Sequence, residues 1–298
     1  MDKIFNSKII LGCMRTSNLS VQELENLIFA ALDLGINFFD HADIYGRGKA
    51  ESLFGDVIEK NQGLREKLII QTKCGIKNGY YDNSKEHILY SVDESLKRLK
   101  ANYLDVLLLH RPDALMEVEE IAEAFNTLKK QNLVRYFGVS NMNPSQISLL
   151  QKYIDEKLII NQIQLSIVHS VILDQFFNFN MANNKACDRD GGILEYSKAN
   201  NIMLQAWSVL QASWEEGTFL NNPNYQKLNE ELNKLAQKYN ATPEAIAVSW
   251  ILRIPTKIAA VVGTTKVNRL ENIAKAEDIK LLREEWYALY KSVKGLLP

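Results

Sequence analysis

Cysteine is scarce: the 298 residues hold three, Cys13, Cys74 and Cys187. They are scattered and odd in number, so neither a disulfide framework nor a metal spacing is available, and such usage suits a reducing compartment. Long apolar runs are missing too. No stretch reaches the roughly 18 residues of a membrane span, and Met1-Asp-Lys-Ile lacks the apolar region of a secretory signal. An excess of one charge is also absent. Lys and Arg number 35 against 36 Asp and Glu, interspersed, so the basic stripe of a nucleic-acid binder is not there. A Gly-x-Gly-x-x-Gly is lacking, which leaves no Rossmann fingerprint. No linker or composition break divides the chain. These absences predict one soluble, cytoplasmic domain over 1–298, a monomer or weak homo-oligomer, with neither nucleic acid nor membrane as partner.

What is present is an alternation. Short apolar runs, each followed by a helical pattern, recur along the chain at Lys8–Leu11, Ile36–Phe39, Leu68–Thr72, Val106–Leu109, Val134–Val139, Leu158–Leu165, Ile202–Ala206 and Ala259–Val262. Between them, Ser20 and Glu23 form a capping box, after which Leu24, Leu27, Ile28 and Ala31 share one helical face. Lys49–Lys60 reads as a helix with Leu53, Val57 and Ile58 inward, and Ser84 caps another. Asn143-Pro-Ser and Thr242-Pro-Glu begin two more, with proline at the favoured first position. Strands apolar throughout point to a parallel sheet covered by helices. Eight βα repeats predict an α/β fold of the closed (β/α)8 TIM-barrel type, here with an extra C-terminal helix at Glu284–Lys294. The least regular stretch is Val168–Gly192, rich in asparagine. It reads as a long loop overhanging the barrel mouth, since long loops in compact domains are commonly functional or mobile.

Active sites of such barrels form at the C-terminal strand ends. There the sequence Asn37-Phe-Phe-Asp-His-Ala-Asp-Ile-Tyr-Gly46 delivers Asp40 and Tyr45. A tyrosine with an ordinary pKa of about 10 becomes a usable acid when a buried cation stands beside it, and the cation needs a carboxylate of its own. Lys73 and His110 end the third and fourth strands and complete a polar set with Asp40 and Tyr45. Taken singly, each residue reads as structural: a tyrosine after a strand, a buried ion pair, a core histidine. His41 and Asp43 make a His-x-Asp pair, but no second histidine lies within metal-ligand spacing, so no metal site is expected.

The ordered set Asp40, Tyr45, Lys73 and His110, with Asp40-His-Ala-Asp-Ile-Tyr-Gly46, Gly138-Val-Ser-Asn141 and Asn161-Gln162 around it, resembles the aldo-keto reductases from about Ile9 onward. The form of the first motif is similar to a bacterial branch of oxidoreductases within that family. The resemblance implies NADPH-dependent reduction of an aldehyde or ketone, with Tyr45 as general acid, Lys73 lowering its pKa, Asp40 holding Lys73 and His110 orienting the carbonyl. It implies that Ser140, Asn141 and Gln162 hold the nicotinamide carboxamide, that Trp207 stacks on the ring, and that Ser208, Leu210 and Arg15 line the pyrophosphate path. In Gly263, Thr264, Thr265 and Lys266 a strand end, a glycine and a helix start make an anion site. Lys266 and Arg269 would select a 2′-phosphate there, and Asn272 would contact adenine. Two positions depart from the family pattern: Ile273 replaces a frequent asparagine, and Met14 an aromatic near the substrate pocket. The rival the resemblance leaves open is a non-catalytic NADP(H) sensor like the potassium-channel β subunits. A hydrolase on the same barrel would want paired carboxylates or a metal, and neither is evident.

Overall fold

Local chemistry starts the helices where the capping residues stand. In the computed structural model, which describes residues 7–298, the Ser20 side chain accepts from the Glu23 amide and the Glu23 carboxylate accepts from the Ser20 amide, opening α1 (Val21–Asp33) after β1 (Ile9–Gly12). Met1–Ile4, read above for a signal, lies outside the described residues. The chain continues with β2 (Phe38–Asp40), α2 (Lys49–Lys60), β3 (Ile69–Cys74), α3 (Lys85–Leu99), β4 (Leu104–Leu109), α4 (Val118–Lys130), β5 (Val134–Ser140), α5 (Pro144–Tyr153) and β6 (Leu158–Gln164). Then come α6 (Val171–Phe177), α7 (Ile193–Ala199), β7 (Met203–Trp207), the hairpin β8 (Gln211–Ser213) and β9 (Gly217–Thr218), α8 (Gln226–Lys238), α9 (Pro243–Leu252), β10 (Ile258–Val262), α10 (Val267–Ala274) and α11 (Arg283–Lys294).

Strands β1 to β7 and β10 close into a barrel in which β1 pairs with both β2 and β10. The predicted (β/α)8 barrel with its extra C-terminal helix is therefore the observed one. The β8–β9 hairpin stands outside it. No helix of the described residues is long and apolar enough to cross a membrane.

Strand residues alternate sides, and this alternation builds the site. One set, with Ile10, Phe38, Val106, Leu108, Ile160, Ala259 and Val261, forms most of a small interior cluster. The other set packs with the helices into the larger core that holds Ile9, Leu11, Phe39, Ile70, Leu107 and Leu204. Two residues along from interior apolar positions, the same face turns polar: Phe38 is followed by Asp40, Ile160 by Gln162, and Met203 by Gln205 and then Trp207. Gly138 sits where a Cβ would lie 2.6 Å from the Ile160 carbonyl oxygen and 2.7 Å from Leu108 Cδ2, so only glycine leaves β5 and β6 room at this level.

One reading is completed and one corrected. Leu53, Val57 and Ile58 pack on the core as expected, Leu53 only partly buried, and α2 adds the fully buried Phe54, whose ring lies 5.2 Å from that of Phe39. Val168–Gly192 is not one mouth loop. It contains α6, whose Asp174 carboxylate accepts from the Tyr290 hydroxyl at 2.9 Å and the Lys294 ammonium at 2.8 Å. Phe177 lies 5.0 Å from the Tyr290 ring. Asp174 and Phe177 thus tie α6 to α11, Ile172 and Leu173 are buried, and the asparagines of 178–184 follow the helix.

Candidate active site

Asp40 is the last residue of β2, Lys73 the penultimate one of β3, and His110 follows β4 directly. Tyr45 stands in the β2–α2 loop. Three of these four converge through one ammonium group. Lys73 Nζ lies 2.7 Å from Asp40 Oδ1 and 2.8 Å from Oδ2. It also donates to the His41 carbonyl oxygen at 2.8 Å and to Tyr45 Oη at 3.1 Å. An ammonium has three hydrogens and no lone pair, so all three are used and the Tyr45 oxygen is an acceptor in this bond. The Tyr45 hydrogen is consequently free to point into the mouth. His110 meets the Tyr45 ring edge-on, centroids 6.1 Å apart. Its Nδ1 is buried without a partner, which leaves Nε2 as the nitrogen for a ligand.

Burial and charge set the protonation states. Burial disfavours the Lys73 cation, but Asp40 and the Tyr45 hydroxyl outweigh it and hold its pKa above the ordinary lysine value. Burial pushes the Tyr45 phenol above its ordinary value, Lys73 pulls it down, and Asp40 pushes it up. The downward pull expected from Lys73 is thus present, and burial exceeds it. Burial, Lys73 and Arg111 drive His110 far below the usual histidine range, so its imidazole is neutral. His41 turns from the cluster, its ring 4.6 Å from Phe54, and burial holds its pKa at about 3.

The residues assigned to a nicotinamide form a second connected set. Ser140 Oγ donates to the Gln162 carbonyl oxygen at 2.9 Å, Asn141 Nδ2 to Ser140 Oγ at 2.8 Å, and Trp207 Nε1 to Asn141 Oδ1 at 3.1 Å. Asn141 adopts φ 57° and Ser208 φ 56°, left-handed conformations in which the chain turns out of β5 and β7. Ser208 bonds to Gln211 at 2.8 Å, and the Leu210 carbonyl oxygen accepts from Thr218 at 2.8 Å. A third set lies where β1 meets β10. Arg15 Nη1 donates to the Gly263 carbonyl oxygen at 3.2 Å, and the Lys266 amide to Thr264 Oγ1 at 3.1 Å. Helix α10 opens at Lys266 without a side-chain cap, so its first amides are unfilled. Lys266 and Arg269 are exposed, and neither side chain bonds to a carboxylate among the described residues. Thr265 and Asn272 are half-buried beside them, whereas Ile273 is buried at 1% exposure.

Sequence reasoning passed over Gln71 and Gln205. Both are fully buried and bonded to each other, Gln71 Nε2 to Gln205 Oε1 at 2.8 Å. The available signal was a long amide inside an apolar strand, in phase with Lys73 and Trp207. Arg111 was also missed; its guanidinium lies 5.8 Å from the Trp207 ring centroid.

Comparison with known proteins points to one family. The model of the Aldo/keto reductase family matches residues 8–294. The oxidoreductase YdhF of Escherichia coli K12 is 34% identical over 300 aligned residues, covering 97% of this chain and 94% of the relative. A 6-dehydroglucose reductase of Agrobacterium fabrum is 32% identical, covering 99% and 96%. The solved thermostable aldo-keto reductase Tm1743, crystallised with the inhibitor epalrestat, is 25% identical, covers 96% of this chain and 95% of its own, and superposes with a TM-score of 0.75.

Proposed function

The chain belongs to the aldo/keto reductase family, and from that premise we propose that this oxidoreductase reduces an aldehyde or ketone to an alcohol, with NADPH as cofactor and Tyr45 as general acid. The observation that carries the proposal is the Lys73 ammonium, whose bonds to Asp40, the His41 carbonyl and Tyr45 Oη leave the phenolic hydrogen unclaimed.

The chain's own residues then act as follows. A substrate carbonyl oxygen is held by the Tyr45 hydroxyl and by the neutral His110, which donates through Nε2 without titrating. Tyr45 passes its proton to that oxygen as negative charge develops there. The phenolate left behind faces Lys73, already bonded to it and neutralised on its far side by Asp40. Such positioned proton transfer contributes about 10²–10⁴-fold. NADPH, when bound, supplies the hydride to the carbonyl carbon.

The residues present suit that cofactor. Ser140, Asn141 and Gln162 offer amide and hydroxyl groups to the carboxamide, and Trp207 offers a ring face. Ser208, Leu210 and Arg15 would border its pyrophosphate. Gly263, Thr264, Thr265 and the uncapped start of α10 would cradle an anion, with Lys266 and Arg269 as the residues for a 2′-phosphate and Asn272 for adenine. A hydrogen bond to a charged group is worth roughly 1.5–3 kcal/mol, and about 1.4 kcal/mol is tenfold in affinity. Two such contacts, weakened by solvent and salt at an exposed site, support a preference for NADPH over NADH of about 10²-fold. Arg269→Ala should weaken NADPH much more than NADH, and the wild-type preference should shrink as salt rises. Titrating both cofactors by Trp fluorescence checks this; equal wild-type dissociation constants would refute the 2′-phosphate assignment.

A panel of carbonyl compounds read by NADPH absorbance tests the activity. Because a relative is a 6-dehydroglucose reductase, sugar aldehydes belong in it beside aliphatic and aromatic carbonyls. Turnover of any member supports the reductase. Tight NADPH binding with no oxidation by the whole panel would instead support the sensor.

A further inference from the structure

Under the Asp40–Lys73 pair the barrel interior carries a ring of amides. Gln71, Gln162 and Gln205 project from β3, β6 and β7 and are 0%, 3% and 0% exposed. Strand register sets Asp40 beside Gln71 and Gln162 beside Gln205. Asp40 Oδ1 accepts from Gln71 Nε2 at 2.5 Å and from Gln162 Nε2 at 3.0 Å. Gln205 Oε1 accepts from the same two nitrogens, at 2.8 and 2.9 Å, and Gln205 Nε2 donates back to Gln71 Oε1 at 3.1 Å.

The charge on Asp40 orients this ring. A carboxylate paired with an ammonium only accepts hydrogen bonds, so Gln71 and Gln162 must both turn their NH2 groups toward it. Gln205 must then present its oxygen to those groups, and its own NH2 finds the Gln71 oxygen. No alternative set of flips satisfies all three amides. One consequence reaches the mouth. Both hydrogens of Gln162 Nε2 are taken, by Asp40 and Gln205, while Gln162 Oε1 has no bond within the protein and is not among its buried unpaired atoms.

We propose that Gln205 is a positioning residue: by accepting from Gln71 and Gln162 it holds the amide ring against Asp40 and keeps Gln162 Oε1 facing outward, as the acceptor for the NH2 of the nicotinamide carboxamide. This rests on the cofactor reading above. It assigns a function to Gln205, a fully buried residue whose bonds go only to Gln71 and Gln162.

The test is a binding cycle on the whole protein by calorimetry, with NADPH and with 2′-phospho-ADP-ribose, which lacks the nicotinamide. Gln205→Met has similar volume and no oxygen. It should weaken NADPH by about tenfold, the scale of one hydrogen bond, and leave 2′-phospho-ADP-ribose unchanged. Gln162→Met should do the same. Because Gln205 acts through Gln162, the double variant should lose no more than Gln162→Met alone. If Gln205→Met does not fold, Gln205→Asn, which withdraws the amide by one methylene, carries the same cycle. Additive losses, or equal weakening of both ligands, would reduce Gln205 to ordinary core packing and overturn the inference while the reductase stands. A wild type that binds both ligands equally would overturn the cofactor reading and this inference with it.

Discussion

Tyr45→Phe is expected to lower carbonyl reduction by two or more orders of magnitude, within the roughly 10²–10⁴-fold of general acid catalysis, with NADPH affinity nearly unchanged. The substitution keeps the ring that meets His110 edge-on and removes only the oxygen bonded to Lys73 at 3.1 Å and the hydrogen that bond leaves free. It separates proton delivery from packing. The pH dependence carries a sign. The acid must be protonated to act, and burial holds the Tyr45 phenol above its ordinary value of 10. Reduction by the wild type should therefore stay level through neutral pH and fall only on the alkaline side. The residual activity of Tyr45→Phe should lack that alkaline fall. Single-turnover reduction rates measured across pH check both points, and wild-type rates in the variant would remove Tyr45 from the acid's place.

Lys73→Met should damage activity and stability together. Lys73 and Asp40 are 0% and 3% exposed at their side chains, and removing one partner of a buried pair costs about 3–5 kcal/mol because the other charge stays buried and unpaired. On the thermal scale of domains this size that is a fall in Tm of roughly 5–15 °C. Catalysis should fall as well, since the Tyr45 phenolate would form without a cation beside it. Adding Asp40→Asn removes the stranded charge, so the double variant should regain much of the Tm and none of the activity. That divergence, read by calorimetry and by NADPH oxidation, distinguishes a catalytic cation from a structural one. The folded pKa of Lys73 lies above its ordinary 10.5. Its contribution to stability is therefore complete at neutral pH and is lost as pH rises through that folded value. Wild type should lose stability faster than the double variant at strongly alkaline pH.

What could be read from the chain was what has its partners close by in sequence or repeats along it. The Ser20–Glu23 capping box closes within four residues and is present as expected. The prolines after Asn143 and Thr242 start helices for the same local reason. Apolar runs alternating with helical patterns implied a parallel sheet covered by helices, and eight such repeats implied its closure into a barrel. The polar endings of those runs pointed to Asp40, Lys73 and His110. Tertiary structure decided the rest. How deeply Leu53 and Phe54 each sit depended on the rotation of α2 against the barrel, and Asp174 on α6 meets Tyr290 and Lys294 of α11 across more than a hundred positions. The amide ring is the clearest case. Gln71 meets Asp40 across 31 positions, Gln162 meets it across 122, and Gln71 meets Gln205 across 134. A glutamine in an apolar strand states that it must find partners, since a buried amide left unbonded is costly. Which partners, and therefore which way its oxygen faces, is settled only when barrel closure brings four distant strands to one level around a single carboxylate.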